Sequence, residues 1–423
     1  MKLFAVTGNP IAFSNSPNIF NSFFKINNDD AKYFRLSADT AKEAIDVFNE
    51  LDLSGMSVTA PFKTEIMQYL DKIDDIAKNI GSVNTVVNIN GKLVGYNTDY
   101  YGVINSLPTN IEGKNILLLG AGGAAKAVAY SLKEKLANIT IVNRTKSKAE
   151  ELSEQFNILA IGVEDIKNKI SEIDIIINTI PNGGKLINDN WFVPNQIIFD
   201  AIYNNSVYKE VAEQKSLKFI DGKQWLLNQA IPAYKLFLNK DIDIEISQIN
   251  FNKKPKEKII LVGFMGSGKS TIAERLSEKL NVKHFSTDVV ISVREGLSIN
   301  EIFEKHGEQY FRDAEEQILN MLCSMAGKGI ISTGGGVVLS EKNRKIIEDS
   351  YTSVWLYANT ESIMKRTKPD NRPLLKNNFT KERVTELMNK RKNFYALSTD
   401  LLINTSNNTI DEVVDKLIDL DLL

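Results

Sequence analysis

The stretch Ile259-Ile260-Leu261-Val262-Gly263-Phe264-Met265-Gly266-Ser267-Gly268-Lys269-Ser270-Thr271 decides how the C-terminal part of this chain folds. Its four leading apolar residues read as a buried strand. The residues after them fit the pattern G-x-x-x-x-G-K-[ST], and a helical run at 272–280 follows. In that order the glycines let backbone N–H groups wrap a phosphate, and the helix N-terminus adds positive potential. Lys269 is placed to reach a β- or γ-phosphate and Ser270 to ligate Mg²⁺; Gly266, Ser267, Gly268 and Thr271 complete the loop for a nucleoside triphosphate. A GTPase would carry Asn-Lys-x-Asp, and no Asn-Lys pair here has Asp two places on.

Outward from this loop, short apolar runs at 115–119, 139–142, 173–177, 197–199 and 353–356 alternate with amphipathic helical segments. That alternation predicts an α/β fold with parallel sheets covered on both faces. At about 150 residues per domain, the 423 residues predict two to three domains. The charged stretch Phe251-Asn252-Lys253-Lys254-Pro255-Lys256-Glu257-Lys258 is one boundary, and Leu107-Pro108-Thr109-Asn110 is another. The expected division is a first lobe at 1–107 and a dinucleotide-type domain at 108–245, whose helix at 221–239 packs back on that lobe. A linker at 246–257 and the phosphate-loop domain at 258–423 follow.

Composition removes several function classes. Lys and Arg total 51 against 53 Asp and Glu, so the net charge of −2 offers no general attraction to nucleic acid or anionic lipid. The single cysteine, Cys323, forbids an internal disulfide, and His284 and His306 alone leave little for zinc sites or a Ser-His-Asp triad. The apolar start Leu3-Phe4-Ala5-Val6 is broken by Thr7-Gly8-Asn9-Pro10, too early for a signal peptide, and no run nears the ~18 apolar residues of a membrane span. A cytoplasmic protein is expected.

After the phosphate loop come Thr287-Asp288, Phe311-Arg312-x-x-Glu315, Ser332-Thr333-Gly334-Gly335-Gly336, Arg366, Arg372-Pro373-Leu374-Leu375 and Lys390-Arg391-x-x-x-Tyr395. This ordered series resembles shikimate kinase over 256–423. The resemblance implies that Arg312 and Arg391 grip the substrate carboxylate and that Asp288 holds ring hydroxyls and takes the proton of the attacking one. It implies close approach of Gly334, Gly335 and Gly336 to the substrate, Arg366 stacked on adenine, and Arg372 carried by a lid at 368–378. Ser286 stands where the family usually has an aspartate that helps hold Mg²⁺ through water, which predicts weaker metal affinity or more reliance on Ser270 and the nucleotide.

Earlier in the chain, Gly120-Ala121-Gly122-Gly123-Ala124-Ala125 follows the run 115–119 and opens a helical segment, a G-x-G-x-x-A form of the dinucleotide fingerprint. About 20 residues on, where an NAD site would place Asp or Glu, stand Asn143-Arg144-Thr145; a guanidinium favours a 2′-phosphate, so NADP(H) is expected. Around this fold lie Gly8-Asn9-Pro10-Ile11, Ser14-Asn15-Ser16-Pro17, Ser57-Val58-Thr59-Ala60-Pro61-Phe62-Lys63, Val83-Asn84-Thr85, Gly95-Tyr96-Asn97-Thr98-Asp99, and Gly222 through Gln229-Ala230. This second series resembles shikimate dehydrogenase over about 1–245. The resemblance implies Lys63 and Asp99 as the catalytic pair, with Ser14, Ser16, Thr59, Asn84, Thr98, Gln229 and Tyr203 contacting substrate. Departures are Phe13 for a frequent His, Gly184 for a Met near the nicotinamide, and Asn204-Asn205 for Asn-Pro; none removes a proton donor.

The two resemblances imply one bifunctional enzyme of chorismate and aromatic amino acid biosynthesis. It would reduce 3-dehydroshikimate with NADPH and phosphorylate the resulting shikimate with Mg·ATP. The alternatives are a quinate/shikimate dehydrogenase working oxidatively, against which Arg144 speaks, and a chain in which one half only binds ligand. Oligomeric state is not readable from the residues.

Overall fold

The computed structural model describes residues 1–181, 184–203, 206–251, 256–367, 375 and 378–423. Two compact units are present: Met1–Pro17, Asn28–Ser54 and Asn252–Leu423 form the first, Asn18–Asn27 and Gly55–Phe251 the second.

In the first unit the apolar runs pair into an all-parallel sheet. Its described strands lie in the order Lys283–Ser286, Gly329–Ser332, Lys258–Val262, Thr352–Tyr357, Leu401–Asn404, Ala31–Ser37 and Lys2–Gly8. The strand read at 259–262 is thus central, and the helix Lys269–Leu280 leaves its C-terminal end. The N-terminal strands Lys2–Gly8 and Ala31–Ser37 extend this sheet, a join that no motif announced. Leu401, Leu402 and Ile403 pair in register with Arg35, Leu36 and Ser37. Phe34 meets Trp355 edge-on at 6.3 Å, and Trp355 stacks on Tyr395 at 5.5 Å. The Lys392 ammonium donates to the Leu51 carbonyl at 3.0 Å, and Lys416 pairs with Asp39 at 2.8 Å.

In the second unit, Gly55–Val58, Thr85–Ile89 and Lys92–Tyr96 run antiparallel in turn, and Lys72–Ile73 joins Lys92–Tyr96 in parallel. A separate parallel sheet has the order Lys218–Ile220, Ile197–Asp200, Ile175–Asn178, Asn115–Leu119, Asn138–Val142, Leu159–Ala160. Numbered along the chain that is 3-2-1-4-5-6 read from the far edge, the doubly wound dinucleotide topology. Burial explains why its strands are continuously apolar. Ile116, Leu118, Ile139 and Ile141 face one core, Leu117, Leu119 and Val142 the other. Each such side chain withdrawn from water contributes about 1.5–3 kcal/mol.

The strand expected at 173–177 begins instead at Ile175. Ile173 closes the short 3₁₀ turn Ile170–Glu172 by donating its N–H to Ile170, and so is spent as a cap. The helix Gly222–Leu238 ends where Asn239 turns left-handed at φ 54°. It packs against the helix Asp99–Ser106, where a Cβ on Gly102 would lie 2.4 Å from Trp225 Cδ1 and 3.0 Å from Gln229 Cβ.

Two effects oppose each other at Gly102. Alanine gains roughly 1 kcal/mol of helix propensity, while overpacking costs roughly 1–3 kcal/mol. With the buried Trp225 indole as the obstacle, we expect the clash to win: Gly102→Ala lowers the urea midpoint of this half, and a raised midpoint would show that the two helices part easily.

Candidate active sites

Lys63 lies in the turn after Gly55–Val58, and Asp99 opens the helix Asp99–Ser106. Their side chains meet at 2.5 Å, only 14% and 5% exposed. An exposed pair would be worth little, but in this desolvated position each charge needs the other. The Lys63 stem also lies against the fingerprint turn, with Cδ 3.1 Å from where a Cβ on Gly123 would stand. The expected base–acid pair is therefore adjacent to the expected nucleotide loop. Gly120 adopts φ 105°, and a Cβ there would strike Thr179 Oγ1 at 2.5 Å, so only glycine permits this turn. Gly122 caps the helix Gly123–Glu134, which carries Ala124, and its Cβ direction is open. That open, N–H-rich turn fits a pyrophosphate.

Asn84 is the hub beside the pair. Its Oδ1 accepts from Thr98 N–H at 2.7 Å, Thr98 Oγ1 at 3.2 Å and Thr85 Oγ1 at 3.0 Å, while its amide donates to Gln229 Oε1 at 2.8 Å. Three residues expected to touch substrate thus already hold one another. Thr59 is half-buried in the turn before Lys63. Asn143 donates to the Thr145 carbonyl at 3.0 Å, shaping the turn on which Arg144 stands exposed. Ser14 and Ser16, in the first unit, approach each other at 3.3 Å through their hydroxyls. Tyr203 is half-buried in the segment after Asp200. Asp200 was not anticipated from sequence. Fully buried, it accepts from Asn178, from Ile202 N–H and from Ser206, and burial raises its pKa against those hydrogen bonds. It shapes the segment bearing Tyr203. Asn182, Gly183, Asn204 and Asn205 lie outside the described residues.

In the other half, Gly268 turns left-handed at φ 92° to start the helix Lys269–Leu280. Lys269 is buried and donates to the carbonyls of Gly263 and Phe264 at 2.9 Å each, while the Ser270 and Thr271 side chains are exposed at the helix start. Ser267 is buried beneath the loop and Gly266 turns at φ 79°. This cradle fits a triphosphate, with Ser270 the described oxygen available to a magnesium ion beside it. Arg366, expected beside adenine, donates to the carbonyls of Thr405 and Ser406 at 2.7 and 3.0 Å. Arg372 and most of the expected lid lie outside the described residues.

The residues expected to bind the acid converge on the glycine triplet. A Cβ on Gly334 would stand 2.8 Å from both Asp288 Oδ1 and Glu315 Oε1, and one on Gly336 would stand 2.4 Å from both terminal nitrogens of Arg312. Arg391 donates to the Gly335 carbonyl at 3.2 Å, as does the Tyr395 hydroxyl, and Thr287 Oγ1 accepts from Gly334 N–H at 3.2 Å. Arg312 pairs with Glu315 at 2.8 Å and with Glu308 at 3.0 Å. Glu315, read only as part of a motif, is fully buried. Burial pushes its pKa up to about 7, Asp288 adds to the rise, and Arg312 and Arg391 oppose it. Ser286 caps the helix Thr287–Glu295, its hydroxyl accepting from Val289 N–H.

Residues 6–86 match the family model of the shikimate dehydrogenase substrate binding domain, 104–200 that of shikimate / quinate 5-dehydrogenase, and 265–421 that of shikimate kinase. Over 255 residues the chain is 38% identical to the shikimate dehydrogenase (NADP(+)) of Pyrococcus furiosus, covering 58% of this chain and 93% of that one. The crystal structure of shikimate dehydrogenase from Aquifex aeolicus superposes with a TM-score of 0.55 at 34% identity, over 59% of this chain and 96% of that one. The Thermus thermophilus enzyme in complex with NADP(H) and shikimate gives a TM-score of 0.53 at 28% identity, over 59% of this chain and 97% of that one. The chain belongs to the shikimate dehydrogenase family. Its C-terminal part is a shikimate kinase domain, so the two halves define a bifunctional shikimate-pathway enzyme.

Aspartate caps helices as well as serine does, so Ser286→Asp should leave stability unchanged. It is expected to lower the Mg²⁺ concentration for half-maximal kinase rate, and an unmoved titration would remove Ser286 from the metal question. For Glu315, ionisation above about pH 7 neutralises part of the Arg312 charge that an acid substrate needs. The kinase KM for shikimate should therefore rise as pH increases through about 7, and Glu315→Gln should flatten that rise. A variant with the same profile would assign the titration elsewhere.

Proposed function

We propose that the chain performs two consecutive reactions on one small acid: NADPH-dependent reduction of 3-dehydroshikimate to shikimate, then Mg·ATP-dependent phosphorylation of the shikimate 3-hydroxyl. The observation that carries the reading is the buried Lys63–Asp99 contact lying against Gly123. NADPH, when bound, supplies the hydride. Lys63 then gives the developing alkoxide a proton and a positive charge, and Asp99 keeps the ammonium charged and aimed. Asn84, Thr98 and Gln229, already joined by hydrogen bonds, present a fixed set of partners for ring hydroxyls, with Thr59, Tyr203, Ser14 and Ser16 adding to them.

For the second step, Arg312 and Arg391 hold the carboxylate and Asp288 accepts the proton of the attacking hydroxyl. With Mg·ATP bound, Lys269 and Arg372 would stabilise the transferring phosphoryl group, Ser270 would hold the Mg²⁺ and Arg366 would border the adenine. The functional modules in this reading are 1–107, 108–245 and 258–423, with 246–257 between them. The partners are small acids rather than nucleic acid or membrane. Among the described residues no helix is long and apolar enough to cross a membrane. With one cysteine, the chain suits a reducing, cytoplasmic setting.

Incubation of the full chain with 3-dehydroshikimate, NADPH and Mg·ATP should give shikimate 3-phosphate by mass; shikimate as the end product would reject the kinase half. Lys63→Ala is expected to remove about 10²–10⁴-fold of NADPH oxidation and spare phosphorylation, and Lys269→Ala to do the reverse. Equal loss of both activities in either variant would contradict independent sites.

A further inference from the structure

Arg35 stands on the N-terminal strand Ala31–Ser37 at the first rung of its pairing with the kinase strand Leu401–Asn404. Its backbone N–H donates to the Asp400 carbonyl at 3.2 Å, and one terminal nitrogen of its guanidinium reaches the same oxygen at 3.4 Å. The other face of the guanidinium forks onto a single acceptor: Nε and the second terminal nitrogen donate to the Ser14 carbonyl at 3.1 and 2.7 Å. Asp400 is itself pinned. Its carboxylate accepts from Ser353 N–H at 3.1 Å and Oγ at 3.3 Å and pairs with Lys256 at 3.6 Å, while its N–H donates to the Ser353 carbonyl at 3.1 Å. Ser14 is the residue whose hydroxyl meets that of Ser16.

We propose that Arg35 is a positioning residue for the reductase reaction, transmitting the fixed position of the kinase strand at Asp400 to the Ser14–Ser16 loop. The inference rests on the reading that this loop contacts 3-dehydroshikimate. A carbonyl held by two charged donors cannot rotate freely, so the peptide that aims the Ser14 hydroxyl is set before substrate arrives. A planar fork is needed to hold Ser14 and touch Asp400 at once, which a lysine ammonium cannot reproduce. The kinase domain thereby serves the other activity as a rigid wall, without contributing a group that touches that substrate.

The test compares both activities in the same full-length molecules. Arg35→Met should raise the KM for 3-dehydroshikimate roughly five- to thirty-fold, the loss of two charge-assisted hydrogen bonds. Its kcat, its KM for NADPH and its kinase constants should stay as they were. Arg35→Lys should recover part of the KM. Lys416→Met, which cuts the Asp39 pair across the same join without touching the serine loop, should leave it unmoved. An unchanged KM in Arg35→Met overturns the proposal, as does a parallel fall in kinase rate, which would make the residue merely structural. An equal rise in Lys416→Met also overturns it. Failure of the unsubstituted chain to reduce 3-dehydroshikimate would instead strike the functional reading itself.

Discussion

A methyl group on Gly336 would sit 2.4 Å from the Arg312 guanidinium, one on Gly334 2.8 Å from two carboxylates, and one on Gly123 3.1 Å from the Lys63 stem. Both sites depend on this constraint: bare backbone occupies space that any side chain would deny to a charged group. The benefit is electrostatic. A cation held against the backbone in a dry cleft acts on its ligand at an effective dielectric far below that of water. In the kinase half Asp288, Glu315 and Arg312 share one small volume; burial, with Asp288 adding to it and Arg312 opposing it, pushes the pKa of Glu315 up to about 7.

The two halves handle charge differently. The reductase side buries a matched pair, Lys63 with Asp99, next to a neutral amide and hydroxyl network around Asn84. That arrangement suits a reaction in which one proton must be delivered at one atom. The kinase side flanks Arg312 with the acids Glu308 and Glu315, so that this guanidinium is held in place yet partly neutralised, while Arg391 is held by the Gly335 carbonyl. Such a balance suits a site that must take in a carboxylate beside a triphosphate without becoming an indiscriminate anion trap.

Much of this was legible in the residues because glycine loops and charged motifs are local. The phosphate loop, the fingerprint turn and the strands behind them follow from spacing alone, and the structure places the glycine triplet against Asp288, Arg312 and Arg391, residues that the resemblance had singled out for the substrate. What stayed hidden was set by distant partners. Nothing in Leu401-Leu402-Ile403 or in Arg35-Leu36-Ser37 says that these runs would pair with each other, since any apolar strand edge reads alike. Gly102 looks like an ordinary helix residue until Trp225 is placed over it. Asp200 carries no motif of its own, and Ser286 reads as a missing metal ligand although it also serves as a helix cap.

The pairing of Leu401–Asn404 with Ala31–Ser37 leaves neither strand as a free edge, and free edges invite unwanted association. Phe34 and Trp355 pack on each other across the same line. The fusion of two catalysts in one polypeptide is thus more than a tether. Severed into separate gene products, the halves would each bare a strand and an aromatic ring matched to the other, and so would be built to reassemble as a complemented pair or to clump when made alone.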